Sequence, residues 1–453
     1  MKKLLAIALA ALMALLPVMS LAEGELTMGS WRTDDTEQVN ALLAKYEELT
    51  GVKIVFQPTT STQYNATLRQ QLDGGIGPDL FYSRTYTTGA ELYENGFNVV
   101  CNDIPGVKEN FTETALDGFT AADGNIFAIP FAAVSHFVYY NKQIFADNGI
   151  EVPATFEEFL AVCEKLKAAG IMPLSNGIAA NWDILECVLC GMVPNYITAE
   201  ERVAYEKGEK KLNDETWVKI YSDFAKLVPY LPEAFASIDN DQANVMFGLG
   251  QSAMLIDGSW SYGTLNGDDY DIDVGFFPVP APEGNAPGFS LHPDFGIAGN
   301  AASAHPEEVK AFLAWLASVD GAKITAEVIP EGFLPLINAD VAPEGSIIAE
   351  MNAQGEGKNA DRRFVWNMMA LYTPIVEQLN AICRGEQTPE GAADAVNAVW
   401  EADLAKSLSN RFSGRAGRRP ALPFLFLSAG SFQPPACRRQ LKRIRGFRRT
   451  KKE

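Results

Sequence analysis

The sequence predicts an α/β fold in two lobes, followed by a helical C-terminal part. Three observations predict it. Strand-like and helix-like patterns alternate from residue 25 onward, which argues for parallel strands covered by helices. The chain has 453 residues, enough for two to four domains with sizeable cores. Hydrophobic residues make up 47% and charged residues 21%, the balance of a globular chain and not a disordered one.

Residues 25–30 (ELTMGS) read as the first strand. Asp34, Asp35 and Glu37 then open a helix, with carboxylates in the first turn where the helix dipole favours them. Val39, Leu42, Leu43, Tyr46 and Leu49 share one face at helical spacing, and Gly51 ends the helix. Residues 52–57 (VKIVFQ) alternate with period two, as a strand does. A polar helix is expected over 62–72, then a Gly-rich turn and a strand over 79–82. A strand pair is expected near 127–130 and 137–140. Helical patterns cover 156–169, 182–192, 217–228 and 306–319. Met254-Leu255-Ile256-Asp257 reads as a strand that stops at Gly258, and 272–279 as another, entering a loop rich in Pro and Gly. Residues 306–404 read as mostly helical, and no internal repeat is visible.

Both ends read as lying outside the fold. Lys2 and Lys3 precede an apolar run over 4–16, which Pro17 breaks, and Ser20-Leu21-Ala22 supplies small residues two apart. This predicts a signal peptide, residues 1–22, because the run is shorter than the ~20 residues of a spanning helix. The first cysteine is Cys101, so no lipid-attachment cysteine follows the run. The protein is therefore expected outside the cytoplasm, in the periplasm or at the cell surface. Residues 411–453 hold ten Arg, three Lys and one Glu, a net +12 that leaves −32 on residues 1–410. Lysine outnumbers arginine 17 to 7 before residue 411 and is outnumbered 10 to 3 after it. Charge and residue preference break at one point, so 411–453 is expected to be a basic, disordered tail. The total of −20 excludes nucleic acid or an anionic membrane as the main partner. Three histidines, His136, His292 and His305, leave little for a histidine metal site, and neither metal nor cofactor is expected.

Gly77-Pro78-Asp79-Leu80-Phe81, Tyr140-Asn141-Lys142, Ala253-Met254-Leu255-Ile256-Asp257-Gly258-Ser259-Trp260 and Gly332-Phe333-Leu334-Pro335 recur in an order that resembles one family. It is the extracellular solute-binding proteins of bacterial ABC importers, in the carbohydrate-type family that includes maltose-binding protein. The resemblance covers about residues 23–408, and the tail has no counterpart in it. It implies a two-lobed periplasmic-binding-protein-like fold of type II, with ligand held in a cleft between lobes joined by hinge strands. The implied lobes are 23–132 plus 291–350, and 133–290 plus 351–408. The implied partners are a carbohydrate ligand and the permease subunits of an ABC transporter, and a monomer is expected. Hinge closure would bury a small ligand and create the form a transporter recognises.

Trp260 is the first candidate for ligand contact. It follows a strand end, and an indole there offers a flat apolar face to a sugar ring. Trp31, Arg32 and Asp34 follow the first strand, and Tyr82, Ser83 and Arg84 end another. Ligands of open α/β sheets sit at such strand ends. Arg32 suits a hydroxyl pair or a carboxylate, and Asp79 reads as structural. Asn181 and Trp182 open a helix, and Trp182 matches a cleft aromatic of the family. Trp366 and Tyr372 lie where the family has another. Ser135 and His136 follow the first implied hinge crossing.

Cys187-Val188-Leu189-Cys190 has redox or zinc spacing, but no second pair exists and the segment is apolar, so buried thiols are expected. No H-E-x-x-H, G-x-S-x-G or G-x-x-x-x-G-K-[ST] is present, and a non-enzyme is expected. Two alternatives stand beside the sugar reading. One is a secreted glycosidase or polysaccharide lyase. The other is the same fold with a polyamine, metal or glycerol-phosphate ester as ligand.

Overall fold

The computed structural model describes residues 25–412, apart from 34, 268, 330 and 331. The expected signal peptide, Asp34 and the tail from residue 413 onward lie outside the described residues. By packing the chain divides into two units, Met1–Ala405 and Lys406–Glu453. The described residues of the second, 406–412, are the last turns of the helix Pro389–Phe412. That helix runs two residues past the point where the tail was expected to begin.

Nine strands are present among the described residues: β1 (Glu25–Ser30), β2 (Lys53–Pro58), β3 (Leu80–Arg84), β4 (Ile129–Asn141), β5 (Met172–Leu174), β6 (Ser252–Gly258), β7 (Val274–Pro278), β8 (Gly288–Gly299) and β9 (Asn359–Asp361). The order β2-β1-β3, all parallel, follows from the helices between them, since a parallel return needs a crossover. The first crossover, Thr36–Thr50, buries Val39, Leu42, Leu43 and Tyr46. Leu49 stays exposed, so the apolar face is one residue narrower than its spacing suggested. Gly51 ends the helix in the left-handed region at φ 75°, and its N–H donates to the Glu47 carbonyl.

β4 replaces the expected strand pair with one 13-residue strand. Register shifts at Pro130/Ala132 and Ala132/Ala133 bend it between the two expected strands. Its first half pairs with β8, which in turn pairs antiparallel with β3. Its second half runs between β6 and β7. One strand thus leaves one sheet and enters another. The apolar residues follow the same partition. One cluster takes residues from 26–134 and 295–341, another from 138–279 and 364–400. A third, smaller cluster takes Ala133, Phe137, Phe289, Leu334 and Met351.

The expected helix over 182–192 is instead a π-helical turn, Ile184–Leu189, running into a single α turn, Cys190–Met192. Such turns concentrate at functional sites. Residues 306–404 are helical in pieces, broken by a loop and by β9. Among the described residues no helix is long and apolar enough to cross a membrane.

Candidate functional site

β1 and β3 end side by side, and each delivers one residue to the same place. Trp31, just past β1, is only 7% exposed. Tyr64 and Tyr82 meet its ring edge-on at 5.5 Å and Phe295 at 5.4 Å. Arg84, the last residue of β3, lays its guanidinium 3.6 Å from the Trp31 ring centroid. The indole face expected to be open to ligand therefore carries an arginine. Tyr82 and Ser83, expected at the cleft mouth, are 1% and 0% exposed. β3 lies between β1 and β8, so both its edges are paired, and its side chains are buried until its last residue. Tyr82 stacks on Phe295 at 4.7 Å. Arg32 donates from Nε to Asp35 at 2.6 Å and lies 4.4 Å over Phe333. Asp79 accepts from the Thr27 N–H at 2.9 Å and from Ser303 at 2.6 Å, a structural role.

The second group is built on the turn Ser259–Ser261 after β6. Asp257 holds that turn from below. Its carboxylate accepts from the Gly258 N–H and the Ser261 hydroxyl at 2.7 Å, Asn244 at 2.8 Å, Asn240 at 3.1 Å and the Cys187 thiol at 3.2 Å. Gly258 is needed there, since a Cβ would come within 2.1 Å of the Trp260 ring. Trp260 is half-buried, and its centroid is 6.2 Å from that of Trp182, which is 36% exposed. Asn181 is exposed beside it. The Ser135 N–H donates to Ser259 Oγ at 3.1 Å, and the residue is otherwise buried.

His136 meets Trp260 edge-on at 5.9 Å and lies parallel to His292 at 5.7 Å. Its Nε2 is 3.2 Å from Arg363 Nη2 and its Nδ1 is 2.9 Å from Ser290 Oγ. An arginine only donates, so Nε2 accepts and Nδ1–H donates to the serine. Burial, with the Arg363 charge, pushes both imidazoles down: His136 well below its ordinary value and His292 to about 4.

Arg363 joins these parts, and the sequence reading missed it. Its Nη1 donates to Glu186 at 2.6 Å and lies 3.9 Å from Asp294. Its guanidinium is 5.7 Å from the Trp260 centroid. Tyr372 donates its hydroxyl to the other Glu186 oxygen. Burial opposes ionisation of Asp294, but neighbouring His292 and the Arg363 charge outweigh it and hold the carboxyl down to about 2. Arg362, alongside, pairs with Asp117 and lies 4.8 Å over the Tyr86 ring. Tyr86 is the one described residue other than glycine at positive φ, 54°. A tandem arginine in a chain with seven before residue 411 was the available signal for this pair. Trp366 falls in the turn Phe364–Asn367, and its side chain lies outside the described set.

Asp183, Cys187 and Asp257 bring ligand-type atoms within 4.8 Å of one another, all buried. Five donors already surround Asp257. Burial and the Asp257 charge push the Asp183 carboxyl well above its ordinary value. Burial does the same to the Cys187 thiol. A neutral acid and a neutral thiol are poor metal ligands and poor nucleophiles, so the cluster is a polar support under Trp182 and Trp260. The five described cysteines are all buried and free; Cys437 lies outside the described residues.

Residues 29–323 match the bacterial extracellular solute-binding protein family. The chain belongs to that family. It is 25% identical over 317 residues to an uncharacterized ABC transporter extracellular-binding protein of Pyrococcus horikoshii, covering 65% of this chain and 68% of that one. It is 24% identical over 399 residues to a diacetylchitobiose binding protein of Streptomyces coelicolor, covering 84% and 90%. The solved structure of a chitin oligosaccharide binding protein superposes with a TM-score of 0.69 at 22% identity, over 84% of this chain and 99% of that one. The fold is thus the two-lobed α/β fold of extracellular solute-binding proteins. Membership places the protein outside the cytoplasm and gives it a small solute to bind.

Proposed function

We propose that this solute-binding protein captures a sugar or oligosaccharide and delivers it to the permease subunits of an ABC importer. The observation that carries the reading is the pair Trp182 and Trp260, 6.2 Å apart and partly open, beside the fork donor Arg363 and the carboxylates Glu186 and Asp294. Indoles match the apolar C–H faces of sugar rings, while hydroxyls need planar donors and ionised acceptors close by. The printed names of the chitobiose- and chitin-binding relatives support the same class.

The division into lobes 23–132 plus 291–350 and 133–290 plus 351–408 belongs to this proposal, with β4 and β8 as hinge strands. It is supported by the passage of β4 from one sheet to the other and by the two large apolar clusters. Export by the peptide 1–22, a monomeric state and the absence of catalysis belong to it as well.

The test is a thermal-shift and calorimetry screen of the mature chain against mono- and oligosaccharides, sugar acids, polyamines and glycerol-phosphate esters, with product analysis. A saccharide should raise the melting temperature with the logarithm of its concentration, without turnover, and reduce the radius of gyration in solution scattering. Released product would make the protein a glycosidase or lyase. A shift with only a polyamine or phosphoester would replace the sugar.

A further inference from the structure

Seven arginines precede residue 411, and six of them pair with carboxylates: Arg32 with Asp35, Arg69 with Asp73, Arg202 with Asp361, Arg362 with Asp117, Arg363 with Glu186 and Arg384 with Glu386. Among the described residues the seventh, Arg84, has no carboxylate within 4.0 Å, and its guanidinium makes no hydrogen bond. It is nevertheless only partly exposed. Its plane is fixed, because it lies on Trp31 at 3.6 Å and three further rings hold Trp31 edge-on. Stacking uses the face of a guanidinium and leaves its N–H edges pointing outward. Burial without a paired anion pulls the Arg84 pKa below its ordinary value.

Acids are close by, but each is engaged elsewhere. Glu186 takes Arg363 at 2.6 Å and the Tyr372 hydroxyl. Asp294 has Arg363 at 3.9 Å and His292 at 3.8 Å, and Asp35 has Arg32 at 2.6 Å. Arg84 pairs in register with Phe295 of β8, next to Asp294, which lies 3.9 Å from Arg363, whose guanidinium is 5.7 Å from the Trp260 ring, so β8 links Arg84 to the Trp260 group. A rigid, planar fork with open edges, set against an aromatic platform for a sugar ring, is matched in shape and charge by a carboxylate carried on that ring. We propose that Arg84 is the anchor for a ligand carboxylate, and that the solute taken up is an acidic saccharide, a uronic acid or an oligosaccharide that carries one. This rests on the saccharide reading above and narrows it.

The decisive comparison changes the ligand and leaves the protein intact. Binding of galacturonic and glucuronic acid, and of their di- and trisaccharides, is measured by calorimetry beside their methyl esters and the neutral sugars of the same stereochemistry. The free acid should bind roughly ten- to a hundredfold more tightly than its ester, the range expected when a charge-assisted fork is lost. Arg84→Gln should remove that preference, with any affinity for the ester retained. Arg84→Lys, which keeps the charge and loses the fork, should fall between. Should Arg84→Gln loosen Trp31 and lower the melting temperature, the acid-to-ester ratio on the unmodified protein still decides. Esters or neutral sugars bound as tightly as the acids would overturn the inference and leave the saccharide reading standing. Absence of binding by any saccharide, acidic or neutral, would remove both.

Discussion

Trp31 and Trp260 sit in matching positions, each just past the end of a strand, and the chain secures them by opposite means. Trp31 is wedged among Tyr64, Tyr82 and Phe295 and covered by Arg84. Its orientation is a matter of ring packing. Trp260 stands on a turn whose backbone and Ser261 hydroxyl are tied to Asp257, and its own ring is left half-open. Its orientation is a matter of hydrogen bonds beneath it. The difference teaches that one tryptophan serves as a platform for another side chain, while the other keeps part of its ring open. Stability and binding should therefore separate between the two groups.

The largest effect is expected at the polar support. Asp257→Ala removes the acceptor of the buried Gly258 N–H, Ser261 and Asn240, and one of the acceptors of Asn244. With several buried donors stranded at ~1–3 kcal/mol each, a loss of about 5 kcal/mol is expected in urea unfolding. A variant that melts like the parent would mean that something else holds the Trp260 turn. Next comes Trp31→Ala, which empties a packed ring and should cost about 3–5 kcal/mol of stability. Trp260→Ala should show the reverse pattern, with ligand affinity falling by about 1–3 kcal/mol and a far smaller change in melting temperature. Equal stability losses in the two tryptophan variants would break the comparison.

Gly258→Ala sharpens it. A methyl group there would meet the Trp260 ring within 2.1 Å, so the indole must swing away while the strand stays in place. Tryptophan fluorescence should change, and saccharide affinity should drop about tenfold, that is about 1.4 kcal/mol. Normal affinity would show that the ring position does not matter to binding.

A further effect concerns pH. His292 is held neutral in the fold with its pKa lowered to about 4 by burial and Arg363, against an ordinary value of about 6.5. The unfolded chain binds a proton in that window and the folded one does not, so stability is full above about pH 6.5 and declines as pH falls towards 4. The slope is up to about 1.4 kcal/mol per pH unit. Asp183, shifted upward, works in the opposite direction, its contribution fading as pH rises above its ordinary range. The difference between parent and His292→Asn melting curves isolates the histidine, and parallel curves would contradict its neutral burial.

The sequence alone determined the order of strands and helices, the parallel start of the sheet, the stop at Gly51 and the strand-end positions of Trp31, Arg84 and Trp260. These depend on the 2.0 and 3.6 residue periods and on glycine, all of which act over a few neighbours. The resemblance carried by its motifs fixed the family. Tertiary structure decided which of the strand-end residues are covered. Tyr82 and Ser83 became core in a strand whose second edge is paired by β8, more than 200 residues later in the chain, and β8 also supplies the Phe295 ring that stacks on Tyr82. Trp31 received Arg84 on its face, and Arg363 arrived from a turn after β9 to link Glu186, His136 and Asp294. The single strand β4 replaced an expected strand pair, with two register shifts bending it between the two expected segments. A residue's type and spacing set what it can do, but its exposure and partners come from segments far along the chain, and local periodicity carries no record of them.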